Sequence, residues 1–322
     1  MFLQKIVVAT TKVNTPKYTT YKMSQIEEFF CEELERWQTA ADNYKNLEKI
    51  ITDRVDCGEY EIRLQFNPAR IISTGAKIDS NSIKERKCFL CEANRVPEQH
   101  HIPWCARNSN HNYQICVNPF PIFKRHFTVA DAQHVPQLIE GRVADLLELA
   151  FDFNGYTAFY NGPKSGASAP DHAHFQLIPR GEMPIEEDSR NRTIFKGEQD
   201  GEVFRAEEYL RAATLFKSGS LERVIELFKK EITEYTPCNG DSEVRMNLIA
   251  WYENQQYNLI FMPRSEHRPK EFFLDDPDRI MFSPGAVDMG GLIIAPRPTD
   301  FEKYKSAELL EKLYAQVSPT NQ

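Results

Sequence analysis

The reading of this chain turns on Asn161-Gly162-Pro163-Lys164-Ser165-Gly166-Ala167-Ser168-Ala169-Pro170-Asp171-His172-Ala173-His174-Phe175-Gln176. Its first ten residues are mostly small, hydroxylated or ring-closed, the composition of a loop. From His172 the pattern becomes that of a strand, expected over 172–178. Side chains alternate along a strand, so His172, His174 and Gln176 are expected on one face. A loop of small residues lets backbone N–H groups approach an anion, and Lys164, Ser165 and Ser168 add a charge and two hydroxyls. Two imidazoles and an amide beside such a cradle suit covalent chemistry at phosphorus. A neutral ring nitrogen attacks, and the amide donates to a phosphoryl oxygen as charge builds. The plain alternative is a pair of core histidines satisfied by backbone carbonyls.

Around this stretch, 156–160 (YTAFY), 113–118 (YQICVN) and 126–130 (HFTVA) read as strands, the last two flanking the turn Pro119-Phe120-Pro121. Residues 59–74 read as strands broken by Asn67-Pro68, and a helix is expected from about 136 to 151. Ser24 with Glu27 three residues later has the form of a capping box. Apolar residues from Ile26 to Ile51 recur at helical spacing, so one amphipathic helix is expected over 24–53. Beyond Gly181, strand signals fall at 203–205, 244–252, 257–262 and 290–295. Helices are expected at 206–217, at 220–233 with Ser220 as cap, and at 306–316. Strands and helices mix without a regular βαβ repeat and hairpin spacings dominate, which favours an α+β fold with mainly antiparallel sheet.

The chain has 322 residues, two domains' worth at ~150 residues each or one unit built from two halves. Its net charge of -8 argues against holding a nucleic acid polymer by counterion release, while a local group of Lys and Arg can still take a small anion. Seven cysteines at irregular spacing do not make a disulfide framework, and no run approaches the ~18 apolar residues of a membrane span. The expected setting is the reducing cytoplasm, with no membrane association. Residues 1–22, rich in Thr and Lys, read as a poorly ordered arm.

Cys88-Phe89-Leu90-Cys91 has the spacing that lets two thiolates reach one metal ion. Candidates for the other ligands are His111, His126, His134 and His172, and the alternative is a reduced pair without metal. Cations are available at Arg63, Arg70, Lys77, Lys124, Arg125, Arg264 and Arg268. A polyphosphate or sugar phosphate needs several. Asp275, Asp276 and Asp278 form an acidic run that reads as a solvated loop.

The segment His172-Ala173-His174-Phe175-Gln176 resembles the H-x-H-x-Q signature of the galactose-1-phosphate uridylyltransferase branch of the histidine-triad superfamily. That branch also holds the diadenosine tetraphosphate phosphorylases and the GDP-hexose phosphorylases. Asn67-Pro68-Ala69-Arg70, followed by Ser73 and Lys77, is similar to a substrate-binding strand of these enzymes, and Asn118-Pro119-Phe120-Pro121 with His126 to a hairpin found across the superfamily. The uridylyltransferases carry Pro where this chain has Ala173, and Ser165-Gly166-Ala167-Ser168 before Asp171 looks closer to the dinucleoside polyphosphate phosphorylases.

The resemblance implies His174 as nucleophile, Gln176 as the residue that orients the phosphoryl group, and His172 as the supporting histidine. It implies substrate contacts from Asn67, Arg70, Lys77, Asn161, Lys164, Ser165, Gly166 and Ser168. It implies a structural zinc on Cys88, Cys91 and His172, with the fourth ligand open between His126 and His134 and His134 preferred, and no organic cofactor. The fold implied is two histidine-triad-like halves, 23–182 carrying the signature and 183–322 completing the pocket. The expected activity is a nucleotidyltransferase or phosphorylase acting on a dinucleoside polyphosphate with phosphate as acceptor. The alternatives are a nucleotide-sugar phosphorylase or hexose-1-phosphate nucleotidylyltransferase, and, in another class, a non-catalytic nucleotide sensor. A homodimer is left open.

Overall fold

The computed structural model describes residues 23–71, 83, 85–198 and 200–319. The arm 1–22, Ser73 and Lys77 lie outside the described residues. The first helix, Met23–Arg36, is followed by a second, Gln38–Asn46, the chain turning at Trp37 (φ -112, ψ 87). The single helix expected over 24–53 is therefore two, and a strand, β1 (Ile51–Asp56), begins inside its expected span. Ile50, Ile51 and Thr52 are three β-branched residues in a row, which lose side-chain freedom in a helix and suit a pleated ribbon. Glu27 does not close a capping box. Its carboxylate accepts from Arg125 Nε at 2.7 Å and from the Tyr156 hydroxyl, so a tertiary ion pair has displaced the local cap.

β1 pairs antiparallel with β2 (Glu61–Phe66). Ten further strands form one antiparallel sheet. They are β3 (Ile102–Cys105), β4 (Asn112–Val117), β5 (Phe127–Asp131), β6 (Tyr156–Asn161), β7 (His174–Pro179), β8 (Phe195–Gly197), β9 (Val203–Ala206), β10 (Thr214–Ser218), β11 (Met246–Glu253) and β12 (Gln256–Pro263). Their order is β3-β4-β5-β7-β6-β11-β12-β10-β9-β8. The strands from residues 102–179 thus occupy one side and those from 195–263 the other, joined where β6 pairs with β11. A last strand, β13 (Leu292–Ala295), runs parallel to β2, tying the end of the chain to its beginning. The mainly antiparallel α+β class is the one expected from the sequence.

The helix expected at 206–217 is absent. Its second half is β10, which pairs with β9 and β12. Residues 212–216 are all buried, and a short run of that kind carries no period by which helix and strand can be told apart. The helix Leu221–Ile232 does form, with Ser220 Oγ accepting the Arg223 N–H.

Alternation along the strands sorts two cores. Phe175 and Leu177 of β7 pack with Ile115, Val117, Phe127, Val129, Tyr156 and Tyr160 under the first two helices and the helices Val143–Asp152 and Leu221–Ile232. Phe159, Ile178, Ile249, Ile260 and Met262 face the other way, toward Ile62, Leu64, Ile293 and the helix Ala307–Val317. Burying Phe175 or Leu177 stabilises by roughly 1.5–3 kcal/mol each, which holds the register of β7 and commits His174 and Gln176 to the second face.

Candidate functional site

On that second face, strand pairing sets Cys116, Thr128, Gln176 and Phe159 in one row, and Gln114, Ala130 and His174 in the next. Apart from Gln114, these residues floor a cavity of about 770 Å³. Its roof and walls come from the segment 86–99, the loop 166–168 and the segment 282–288. Among the described lining residues are four arginines (Arg70, Arg86, Arg95 and Arg268) and one carboxylate, Asp288. A concave site this cationic, on a chain of net charge -8, selects an anion.

His174 is buried in the cavity floor. Its backbone N–H donates to Gln137 Oε1 at 2.7 Å, and its Nδ1 lies 2.8 Å from the His172 carbonyl. A carbonyl only accepts, so Nδ1 carries the proton and Nε2 keeps its lone pair. Burial pushes the ring down to about 4, so it is neutral at physiological pH. Gln137 Nε2 also donates to the carbonyls of Asn161 (2.9 Å) and His174 (3.0 Å), joining the ends of β6 and β7.

Gln176 is held by His126. His126 Nδ1 accepts the Ile122 N–H at 3.3 Å, so Nε2 carries the proton and donates to Gln176 Oε1 at 2.7 Å. With its oxygen engaged, Gln176 has its amide N–H groups left to donate. Burial drives His126 down to about 3 and keeps it neutral. His126 is thereby absent from the metal-ligand group for which the sequence made it a candidate.

β7 begins at His174, not at 172. His172 sits in the preceding turn, its N–H on the Ala169 carbonyl at 3.2 Å, so it does not share the face of His174 and Gln176. Its Nε2 lies 2.8 Å from the Asp131 carbonyl, which directs Nδ1 to Cys88 Sγ at 3.3 Å and Cys91 Sγ at 3.5 Å. His134 Nδ1 is 3.3 Å from Cys91 Sγ. Ligand atoms of Cys88, Cys91, His134 and His172 all lie within 4.8 Å of one another, a group that could hold a metal ion. Burial by itself would raise the Cys88 thiol, but His172 and the N–H groups of Leu90 and Cys91 outweigh it and bring it down to about 6.

The loop 161–171 is locked from behind. Asn161 Oδ1 accepts from Asn247 Nδ2 at 2.9 Å and from the Ala286 N–H at 2.7 Å. Gly166 has φ +99, and a Cβ there would lie 2.5 Å from Gly285 Cα, so only glycine fits the close approach of the two segments. Of the catalytic and substrate-contacting residues implied by the resemblance, Arg70, Asn161, Gly166, Ser168, His174 and Gln176 line the cavity. Asn67, Lys164 and Ser165 are not among its lining residues. Lys164 pairs with Asp241 at 2.5 Å, and Asn67 is buried beside Gln65 and the Pro121 carbonyl. Arg264 is spent on structure, donating to Asn247 and to the carbonyls of Pro284 and Val317.

Sequence reasoning missed Gln137, Arg86, Arg95 and Asp288. Gln137 has no local signature, because the partners of its side chain, Asn161 and His174, lie on β6 and β7. The two arginines flank the thiol pair, and that adjacency was their only signal.

The sequence of a family described as a domain of unknown function (DUF4922) matches residues 29–179. Among curated proteins no sequence matches. The fold is similar to that of yeast Ap4A phosphorylase Apa2, with TM-score 0.59 at 15% identity over 88% of this chain and 97% of that one. The same yeast protein in complex with Ap4A superposes with TM-score 0.58 at 14% identity, over 88% of this chain and 97% of that one. The resemblance read from His172 to Gln176 is thus matched by a likeness of the whole fold.

Proposed function

We propose that this chain is a nucleotidyl-transferring phosphorylase that cleaves a dinucleoside polyphosphate with orthophosphate. The observation that carries the reading is the neutral His174 ring, Nε2 unprotonated, in the floor of a cavity walled by four arginines. In the first step His174 Nε2 attacks the phosphorus bearing one nucleoside. The phosphoanhydride bond breaks, and the remainder of the substrate leaves as a nucleoside polyphosphate. In the second, an oxygen of orthophosphate attacks the nucleotidyl-histidine, releasing a nucleoside diphosphate and restoring the ring. The His172 carbonyl stabilises the positive charge that gathers on the imidazole, through Nδ1–H. The Gln176 amide, aimed by His126, donates to a non-bridging oxygen. Gly166 and Ser168 at the cavity wall cradle the phosphoryl group under attack, and Arg70 supports the chain of phosphates. The yeast neighbours are named as Ap4A phosphorylase, one of them in complex with Ap4A, which favours this substrate class over a nucleotide sugar.

We assign zinc to Cys88, Cys91, His134 and His172. Zinc–sulfur and zinc–nitrogen bonds across a tetrahedral angle place S and N roughly 3.5 Å apart, against 3.3, 3.3 and 3.5 Å here. Four protein ligands leave no open position, so the ion is structural. Chromatography of a reaction of diadenosine tetraphosphate with orthophosphate tests the activity. Equimolar ADP and ATP are expected from the native chain and none from His174→Ala, with nucleotide affinity kept. Turnover by His174→Ala equal to the native rate would remove the mechanism.

A further inference from the structure

Arg86 and Arg95 stand on either side of Cys88 and Cys91, and both line the cavity. Arg86 Nη2 donates to Asp171 Oδ1 at 2.5 Å. Arg95 directs Nε and Nη2 at the Leu90 carbonyl, at 3.1 and 2.6 Å. In both guanidinium groups Nη1 is buried without a hydrogen-bond partner. A buried charged donor left unmatched is unfavourable, and two in one cavity wall form an under-satisfied pair. Arg95 lies close enough to Cys116 for its charge to act on that thiol, and Cys116 belongs to the floor row that includes Gln176. On the other side, Arg86 Nη2 comes within 3.5 Å of the Ser168 carbonyl, at the edge of the phosphate cradle. The two arginines thus flank the cavity floor from the segment that carries the thiol ligands, apart from the loop 161–168.

We infer that Arg86 and Arg95 form a second anion subsite, which takes the phosphates of the substrate beyond the one attacked by His174. The inference rests on the proposed function and deepens it. The cradle holds the phosphoryl group that becomes bonded to His174, and the guanidinium pair holds the leaving polyphosphate. A bridge of three or four phosphates offers two or three beyond the one attacked and reaches both, whereas the diphosphate of a nucleotide sugar offers one, already esterified to the sugar. The subsite therefore reads bridge length. Its two side chains sit on the segment that closes round Cys88 and Cys91, so their spacing depends on that segment being folded.

Calorimetric titration of the full chain with inorganic tripolyphosphate, and in parallel with AMP, tests the subsite. Arg95→Met and Arg86→Met are each expected to weaken tripolyphosphate by about tenfold or more, as loss of a charge-assisted contact should, while AMP affinity and metal content stay near native. Native tripolyphosphate affinity in both variants would overturn the inference. If Arg95→Met loses metal, Arg95→Lys decides. It keeps the charge but not the planar fork, so weakened tripolyphosphate with full metal content supports the subsite and native affinity overturns it. A native chain that binds tripolyphosphate but forms no nucleotidyl-histidine would end the transfer reading and leave the subsite standing. An adduct that forms normally, with tripolyphosphate unaffected in all variants, would do the reverse.

Discussion

His126 and His174 are both buried and neutral, and each has its proton placed by what its Nδ1 meets: an N–H for His126, a carbonyl for His174. The placement gives one ring a donor for Gln176 and the other a bare nitrogen for attack. The sign of the pH effect follows. The folded value of His174, about 4, lies below the ~6.5 of a free histidine, so the attacking form persists on acidification and is lost only as pH falls through about 4. A ring titrating near 6.5 would lose about tenfold in its neutral form between pH 7.5 and 5.5. The rate of adduct formation, followed by rapid quench, is expected to change less than about twofold over that interval. A tenfold fall would show that the attacking group is not the buried ring. At this scale His174 and Gln176 were legible, because alternation in a strand is dictated by backbone geometry. For His172 the shared face was the misreading: the turn at Ala169–His172 delivers it to the thiols, where the family resemblance had placed it.

Among the elements, the loop 161–171 is held by contacts distant in sequence. Its glycine at 166 is legible as loop composition, yet the reason only glycine serves is the backbone of Gly285, more than a hundred residues later. Gly166→Ala is expected to cost ~1–3 kcal/mol for the backbone conformation, plus the displacement of the facing segment, and to remove nucleotide binding. Gly181→Ala is the control. Its φ of +87 imposes similar backbone strain, but a Cβ there meets nothing within 4 Å. Thermal melting and nucleotide titration of the pair separate the two effects, and equal nucleotide affinity in both variants would mean that the approach to Gly285 does not shape the site. The misread elements share a cause. Over 211–216 the burial is continuous, and over 47–53 a helical apolar pattern runs into a β-branched cluster. In both places strand pairing, with the distant β12 for one and in a hairpin with β2 for the other, decided the outcome.

Across the whole molecule, the ten-stranded sheet and the β2–β13 pair bring the segments 86–99, 161–171 and 282–288 round one cavity. We propose that the chain is best divided near residue 182, one half carrying His174 and the other contributing Arg268 and Asp288 to the same cavity. None of the seven cysteines is in a disulfide, and among the described residues no helix is long and apolar enough to cross a membrane. The Cys-x-x-Cys spacing was legible in the sequence, and the family resemblance named the two histidines, His172 and His134, that the turn before β7 and the segment after β5 bring beside the thiols. Elemental analysis is expected to find one zinc per chain. Removing it with a chelator should lower both the melting temperature and nucleotide affinity, since the segment 86–99 forms part of the cavity wall. A metal-free chain with unchanged melting would favour a reduced thiol pair.

The most direct test of the account is intact-mass spectrometry of the native chain after incubation with diadenosine tetraphosphate in the absence of orthophosphate. An acid-labile adenylyl adduct is expected, mapped to His174, absent from His174→Ala and discharged as ADP when orthophosphate is added. Phosphorolysis that proceeds without any adduct, or an adduct that persists in His174→Ala, would contradict it.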